Sequence, residues 1–381
     1  MKIYNDIVKK NTENIIFFFY PGRTKRLEII DDISTEFFYS FIEAKETIEN
    51  VKLIEVENTQ NNLQRLMKFY DRIIFKICRI QSNSEKFCEK KYKDLLDPKN
   101  ILIFTNFALG LSALPFLMKN IFRKRNDIFV INSGLFSFRK ANSIQKLLRS
   151  IYLRLLFNLI SKMIFTSKTE YLFAVDMFPK YENKFVLNEF CPDFRFWNKD
   201  AASITKEKVD ILFIGNDEGR YFELLEPLAE ALSELKFTFI TNNKEVNRIK
   251  LPNVRTISAN WSGNNLSDLE LLKIYRNSRI TILPIRNKLV ASGQSVALQS
   301  MCNKTPVMIT NTIGFWNKSL FKNEENIIFV EENSLESWVS QLRKYYNNNI
   351  VLSDIAEEAY ITVLNNYTKD KFDTEFLKLL S

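Results

Sequence analysis

Short apolar runs alternate with segments of helical spacing through the second half of this chain, and that alternation leaves few folds open. Val209–Ile214, Phe237–Thr241, Val254–Ile257, Ile280–Pro284, Val307–Ile309 and Asn326–Val330 have the length and content of strands covered on both faces. Tyr221–Leu235, Leu266–Asn277 and Leu335–Tyr346 read as the helices between them. Ser267 with Glu270 three residues later spells a capping box at the start of the second of these. Strands alternating with helices predict a parallel, doubly wound sheet. Val351–Asn366 and Lys369–Leu380 follow as two closing helices.

The first half repeats the pattern less cleanly. Ile15–Tyr20 reads as a strand ended by Pro21-Gly22, and Arg23-Thr24-Lys25-Arg26 as a basic loop after it, either a ligand loop or a solvated turn. Val51–Val56, Asn100–Asn106, Ile128–Ile131, a run from Met163 and Phe185–Leu187 are further strands. Thr35–Ala44, Asn61–Gln81, Leu111–Phe122 and Ser143–Met163 read as helices. In 61–81, Leu63, Leu66, Met67, Tyr70, Ile73 and Ile74 share one face and are expected to pack in the core. Ser143–Met163 carries Lys146, Arg149, Arg154 and Lys162 among apolar residues. It reads either as a core helix with a solvated edge or as an amphipathic element touching anionic lipid. Arg123-Lys124-Arg125 lies in the same basic and aromatic region, 116–162. Asn188–Lys208 is polar, contains a proline and lacks apolar periodicity, as a linker does. The expected layout is a domain over 1–190, a linker over 191–208, a domain over 209–365 and a closing helix over 366–381, within what 381 residues allow.

Composition removes several chemistries. There is no histidine, so a histidine triad, a histidine metal site and an imidazole base are all excluded. Cys78, Cys88, Cys191 and Cys302 are far apart with no metal-ligand or disulfide pattern, which predicts a reducing cytoplasm and no metal. The start of the chain is followed by charge, not a long apolar run, so neither a signal peptide nor a spanning helix is expected. A net charge of +9 favours an anionic partner: a nucleotide, a membrane surface or nucleic acid. The last ranks below the others, because no aromatic and basic platform recurs at regular spacing.

Ser292–Thr312 reads as loop, helix, turn and buried strand. Ser292-Gly293-Gln294-Ser295 supplies backbone N–H groups with little bulk, and Val296, Leu298, Met301 and Cys302 follow with helical spacing. A helix start leaves its first amides without partners and carries partial positive charge, so it suits phosphate. The same residues also serve as an ordinary capped helix start.

Four stretches in order carry a resemblance: Asp210–Arg220, Leu266–Ile285, Ala291–Gly314 and Glu325–Trp338. With them the second half resembles the family-four glycosyltransferases, and Met163–Phe178 and Phe194–Asp200 resemble the end of that family's acceptor domain more weakly. The resemblance implies the GT-B fold, α/β with two Rossmann-like doubly wound domains facing a cleft. It implies retaining transfer of a sugar from a nucleotide diphosphate sugar to a glycan or lipid-linked acceptor, with no cofactor beyond that donor and no metal. The amides of Gly293, Gln294, Ser295 and Val296 would face the diphosphate, with Ser292 at the loop, and Arg220 beside Gly215 and Asn216 would offset its charge. Arg286 and Lys288 border the same loop. Arg220 and Gln294 are the residues expected to act in transfer. Members usually carry two Glu eight positions apart, where this chain has Ala291 and Gln299; Gln299 retains an amide for a ribose hydroxyl. A front-face substitution, in which the leaving phosphate oxygen takes the acceptor proton, tolerates the missing pair. Base recognition would fall at Thr241-Asn242-Asn243 or Ser258–Ser262. The setting implied is bacterial surface polysaccharide assembly in the cytoplasm, peripheral on the inner membrane face. The missing Glu pair also fits a non-catalytic nucleotide-sugar-binding or scaffold subunit.

Overall fold

The structure, a computed structural model, describes residues 14–57, 62–118, 127–137, 141–199, 208–259 and 266–380. They fall into two units: unit 1 holds the described parts of 1–28, 38–189 and 373–381, and unit 2 holds 29–37 and the described parts of 190–372. The basic turn at 123–125, the loop from Asn260 to Ser262 and residues 200–207 of the expected linker lie outside the described residues.

Unit 1 is built on six parallel strands: β1 (Ile15–Phe19), β2 (Val51–Glu55), β3 (Ile101–Phe104), β4 (Ile128–Asn132), β5 (Lys162–Phe165) and β6 (Phe185–Leu187). Their order is β2-β1-β3-β4-β5-β6. Phe17, Phe18 and Phe19 are all buried, as a central strand covered on both faces requires. Phe18 stacks on Phe104 at 4.9 Å, while Phe17 meets the edge of Phe41 and stacks on Phe376.

The helix expected over 143–163 ends at Leu159, with Lys162 and Met163 in β5, and the one expected from Leu111 starts at Phe107. Three further differences bear on packing. Arg23–Leu27 is a short helix rather than a loop, entered through Gly22 at φ 107°. The 35–44 helix is interrupted: residues 36–38 make a single 3₁₀ turn, Tyr39 and Ser40 take φ of 45° and 64°, and a helix starts only at Phe41. The Ser40 hydroxyl donates to Asp373 at 2.6 Å, a long-range bond that outweighs the local helical preference. The third difference concerns α1 (Asn62–Cys78), which runs antiparallel to α2 (Ser143–Leu159). Gln145 donates to the Lys76 carbonyl, Arg149 to that of Cys78, and the Tyr70 and Tyr152 hydroxyls meet at 3.1 Å. Of the six α1 residues expected in the core, Ile74 is buried, Met67 and Tyr70 are half-buried, and Leu63, Leu66 and Ile73 are exposed. The helix turns inward on Asp71, Ile74 and Cys78 instead, because the Asp71 carboxylate accepts from the Ser84 amide and from the hydroxyls of Ser82 and Ser84.

Unit 2 has six parallel strands: β7 (Val209–Ile214), β8 (Phe237–Ile240), β9 (Val254–Ile257), β10 (Ser278–Leu283), β11 (Val307–Thr310) and β12 (Ile328–Val330). Their order, β12-β11-β10-β7-β8-β9, is the doubly wound dinucleotide-binding arrangement. Ile211, Phe213, Phe239, Ile280 and Ile282 build its core with Leu228, Trp338 and Leu342. Helix α3 (Asp268–Asn277) begins at the expected capping box, and α4 (Gln294–Cys302) follows β10.

Neither unit is one contiguous block of sequence. Residues 29–37 belong to unit 2, where the Ser34 amide and hydroxyl both donate to Asp268. Thr35 likewise donates through both groups to Asp193. Residues 193–199, expected in a linker, form a packed turn with Trp197 buried, and 373–380 belong to unit 1. Among the described residues no helix is long and apolar enough to cross a membrane. The four cysteines are buried and none forms a disulfide.

Candidate functional site

In unit 2 the strand order reverses between β7 and β10, so the loops leaving these two strands diverge from a common point. Ligands of doubly wound sheets bind there. The loop after β7 is Gly215–Arg220, and the loop after β10 runs through Arg286 and Lys288 to Gly293. The backbone sews the two together: Arg220 bridges Ile285, the Tyr221 amide donates to the Pro284 carbonyl at 2.8 Å, and the Arg286 amide to the Gly219 carbonyl at 2.7 Å.

Arg220 is 3% exposed and lies between two glycines. A Cβ at Gly215 would stand 2.2 Å from its Nε, and one at Gly293 would stand 2.7 Å from its Nη1. Nε approaches Asp217 Oδ2 at 3.1 Å, near enough for an ion pair but without a hydrogen bond's alignment, and Nη1 has no hydrogen-bond partner. A buried guanidinium with an unused donor is expensive unless a ligand completes it. The ion pair Arg220 makes is with Asp217. Glu223 is held by Arg286, whose guanidinium also lies over the Tyr221 ring. A hydrogen bond from the Glu223 backbone, and after it the Arg286 partner, hold the Glu223 carboxyl below its usual range against the effect of burial.

The sequence pattern places Asp217 in a turn over Gly215–Arg220 but gives it no further role. Its Oδ1 accepts from the Gly219 amide at 2.9 Å and the Ser292 hydroxyl at 3.2 Å, so one carboxylate ties the turn to the loop before α4. Gly219 packs against Ser292 so closely that a Cβ there would meet the hydroxyl at 2.0 Å. Gly293 caps α4 at φ 86°, with no side-chain cap. The Gln294 amide turns back to the Ala291 carbonyl at 3.3 Å. Ser295 and Val296 occupy the next positions of the first turn, whose amides have no carbonyl within the helix to reach. The Gln294 side chain is buried, and Lys288 is half-buried on the loop.

Asn216 is a bracket across three loops. Its Nδ2 donates to the Ala259 carbonyl at 3.0 Å, and its Oδ1 accepts from the Asn242 amide and the Thr241 hydroxyl. The two stretches expected to read a base are thereby gathered beside the turn that carries Arg220, as far as Ala259.

Gln299 lies on the buried face of α4. Its Nε2 donates to Glu36 Oε1 at 2.7 Å and its Oε1 accepts from the Tyr275 hydroxyl at 3.1 Å. Glu36, from the 29–37 segment, also accepts from the Trp197 indole at 3.0 Å. Burial, and next the nearby Asp193, push the Glu36 carboxyl up to about 7, against the pull of its hydrogen bonds. No local pattern in the sequence points to this residue.

No family model and no curated protein matches the sequence. Solved structures do match it over nearly its whole length. A glycosyltransferase from Rickettsia africae is 14% identical, with a TM-score of 0.59 over 97% of this chain and 98% of that one. Sucrose-phosphate synthase from Thermosynechococcus elongatus is 11% identical, with a TM-score of 0.66 over 96% and 98%. Anabaena HepE in complex with UDP-glucose is 10% identical, with a TM-score of 0.63 over 96% and 99%. At these identities the likeness is one of fold: two parallel six-stranded sheets with interleaved helices, the α/β GT-B type of these glycosyltransferases.

Proposed function

We propose that the chain is a glycosyltransferase moving a sugar from a nucleotide diphosphate sugar to a glycan or lipid-linked acceptor. The observation that carries this reading is Arg220: a buried guanidinium at the switch point of unit 2, touching the glycine that starts α4, with Nη1 unpartnered. A diphosphate at the α4 amides would supply the missing acceptor. Arg fits because its fork meets phosphate oxygens in pairs. The charge that develops on the leaving diphosphate would then be met by Arg220 and the helix start, with no metal. Gln294 and Ser295 would hold the donor, and the leaving phosphate oxygen would take the acceptor proton, giving retention. HepE holds UDP-glucose on the same fold, which makes a UDP-sugar the first donor to test. The setting we assign is bacterial surface polysaccharide assembly on the inner membrane face, supported by the net charge of +9.

A second reading, a donor-binding subunit without turnover, is favoured by a specific pair of residues. Ala291 has no side-chain hydrogen bond to offer a sugar, and Gln299 is already committed to Glu36 and Tyr275. A thermal-shift screen of UDP-, GDP-, ADP- and CMP-sugars, followed by an assay for released nucleotide diphosphate, separates the two. Shift with release supports transfer; shift without release supports the subunit; no shift with any donor ends both.

A further inference from the structure

Two helices of unit 1 expose apolar side chains that the sugar-transfer reading leaves unused. On α1, Leu66, Phe69, Ile73 and Ile77 recur at three- and four-residue spacing and are all exposed, Phe69 by 59%. On α2, Ile144, Leu147, Ile151 and Leu155 do the same, Ile144 by 69%. The cross-links from Gln145 to Lys76 and from Tyr152 to Tyr70 hold the helices side by side, so both rows belong to one two-helix layer. The exposed charges carried on these two helices have one sign. Arg65, Lys68, Arg72 and Lys76 each stand one residue before an apolar member of the α1 row, and all four are exposed. Lys146 and Arg154 are exposed on α2. The one acidic residue in either helix, Asp71, is buried and held by Ser82 and Ser84.

We infer that the α1–α2 face of unit 1 docks on an anionic lipid bilayer. Its apolar rows would enter the boundary between headgroups and acyl chains, and its basic rows would meet the lipid phosphates. Charge argues against a second copy of the chain as the occupant, because two such faces would set basic rows against basic rows. This deepens the membrane part of the proposal above and requires nothing of the donor site.

The test uses the full chain with vesicles of phosphatidylcholine, with and without phosphatidylglycerol. Binding is expected on the anionic vesicles and is expected to weaken as salt rises. Lys68→Gln and Arg72→Gln should each lower it about fivefold. Phe69→Ser with Ile151→Ser should lower it by about tenfold or more. Both changes are at exposed positions, so the melting temperature serves as the check that the variants fold. Four results would each overturn the inference: no vesicle binding, binding indifferent to lipid charge, variants that bind as the wild type does, or a dimer in light scattering that Phe69→Ser abolishes. The donor thermal shift is read in vesicle-free solution, so either reading can fail without the other.

Discussion

The amide of Gln299 donates to the carboxyl of Glu36 across 2.7 Å, in a pocket where Glu36 is 4% exposed. A buried carboxyl held at about 7 makes stability depend on pH. Its folded value lies above the unfolded one, so the folded protein holds the extra proton. The contribution is complete below about 4.5 and is lost as pH rises through about 7. Glu170, buried in unit 1 and also raised to about 7, acts in the same direction. The expected fall is roughly 3 kcal/mol for each carboxyl. Glu36→Gln should flatten part of the slope of melting temperature against pH between about 5 and 7. A slope identical to wild type would show that Glu36 titrates as it does in water.

Arg220→Met tests the donor site against a merely structural arginine. If Arg220 offsets leaving-group charge, kcat should fall about 10²–10³-fold. Stability should hold or rise, since the change removes a buried cation with an unused donor. A large loss of melting temperature with kcat preserved would assign Arg220 to structure instead.

Gly293→Ala should weaken donor binding and destabilise unit 2 together. The backbone at φ 86° disfavours any side chain, and the new Cβ would press on Arg220 Nη1. The backbone term alone is about 1–3 kcal/mol. Isothermal titration with the donor and a denaturant melt measure the two effects separately.

Removal of divalent cations should leave transfer unchanged, because the proposed charge stabilisation comes from Arg220 and the start of α4. The check is the rate of nucleotide diphosphate release with and without EDTA. A rate that collapses with chelator and returns with magnesium would move that role to a metal ion.

Much of this was legible in the sequence. Val209–Ile214, Val254–Ile257 and Leu335–Tyr346 begin and end where periodicity predicts, because buried parallel strands and amphipathic helices announce themselves locally. The Ser267–Glu270 box and the loop before α4 were readable for the same reason. What local pattern misses is anything decided at long range. The buried face of α1 is rotated toward Asp71 and Cys78 because Asp71 found Ser82 and Ser84, and the helix over 35–44 broke where Ser40 met Asp373. Asp217 and Glu36 take their meaning from Ser292 and Gln299, which lie far along the chain and become neighbours only once the sheet of unit 2 has closed.

The exchange of segments between the units has a practical consequence for dissecting the protein. A fragment cut at residue 190 to isolate the nucleotide-binding half would leave behind Ser34, Thr35 and Glu36. Asp268, Asp193, Trp197 and Gln299 would each lose a hydrogen-bond partner in the interior. Such a half should be recovered poorly or aggregate, and adding a synthetic peptide covering 29–37 should rescue it.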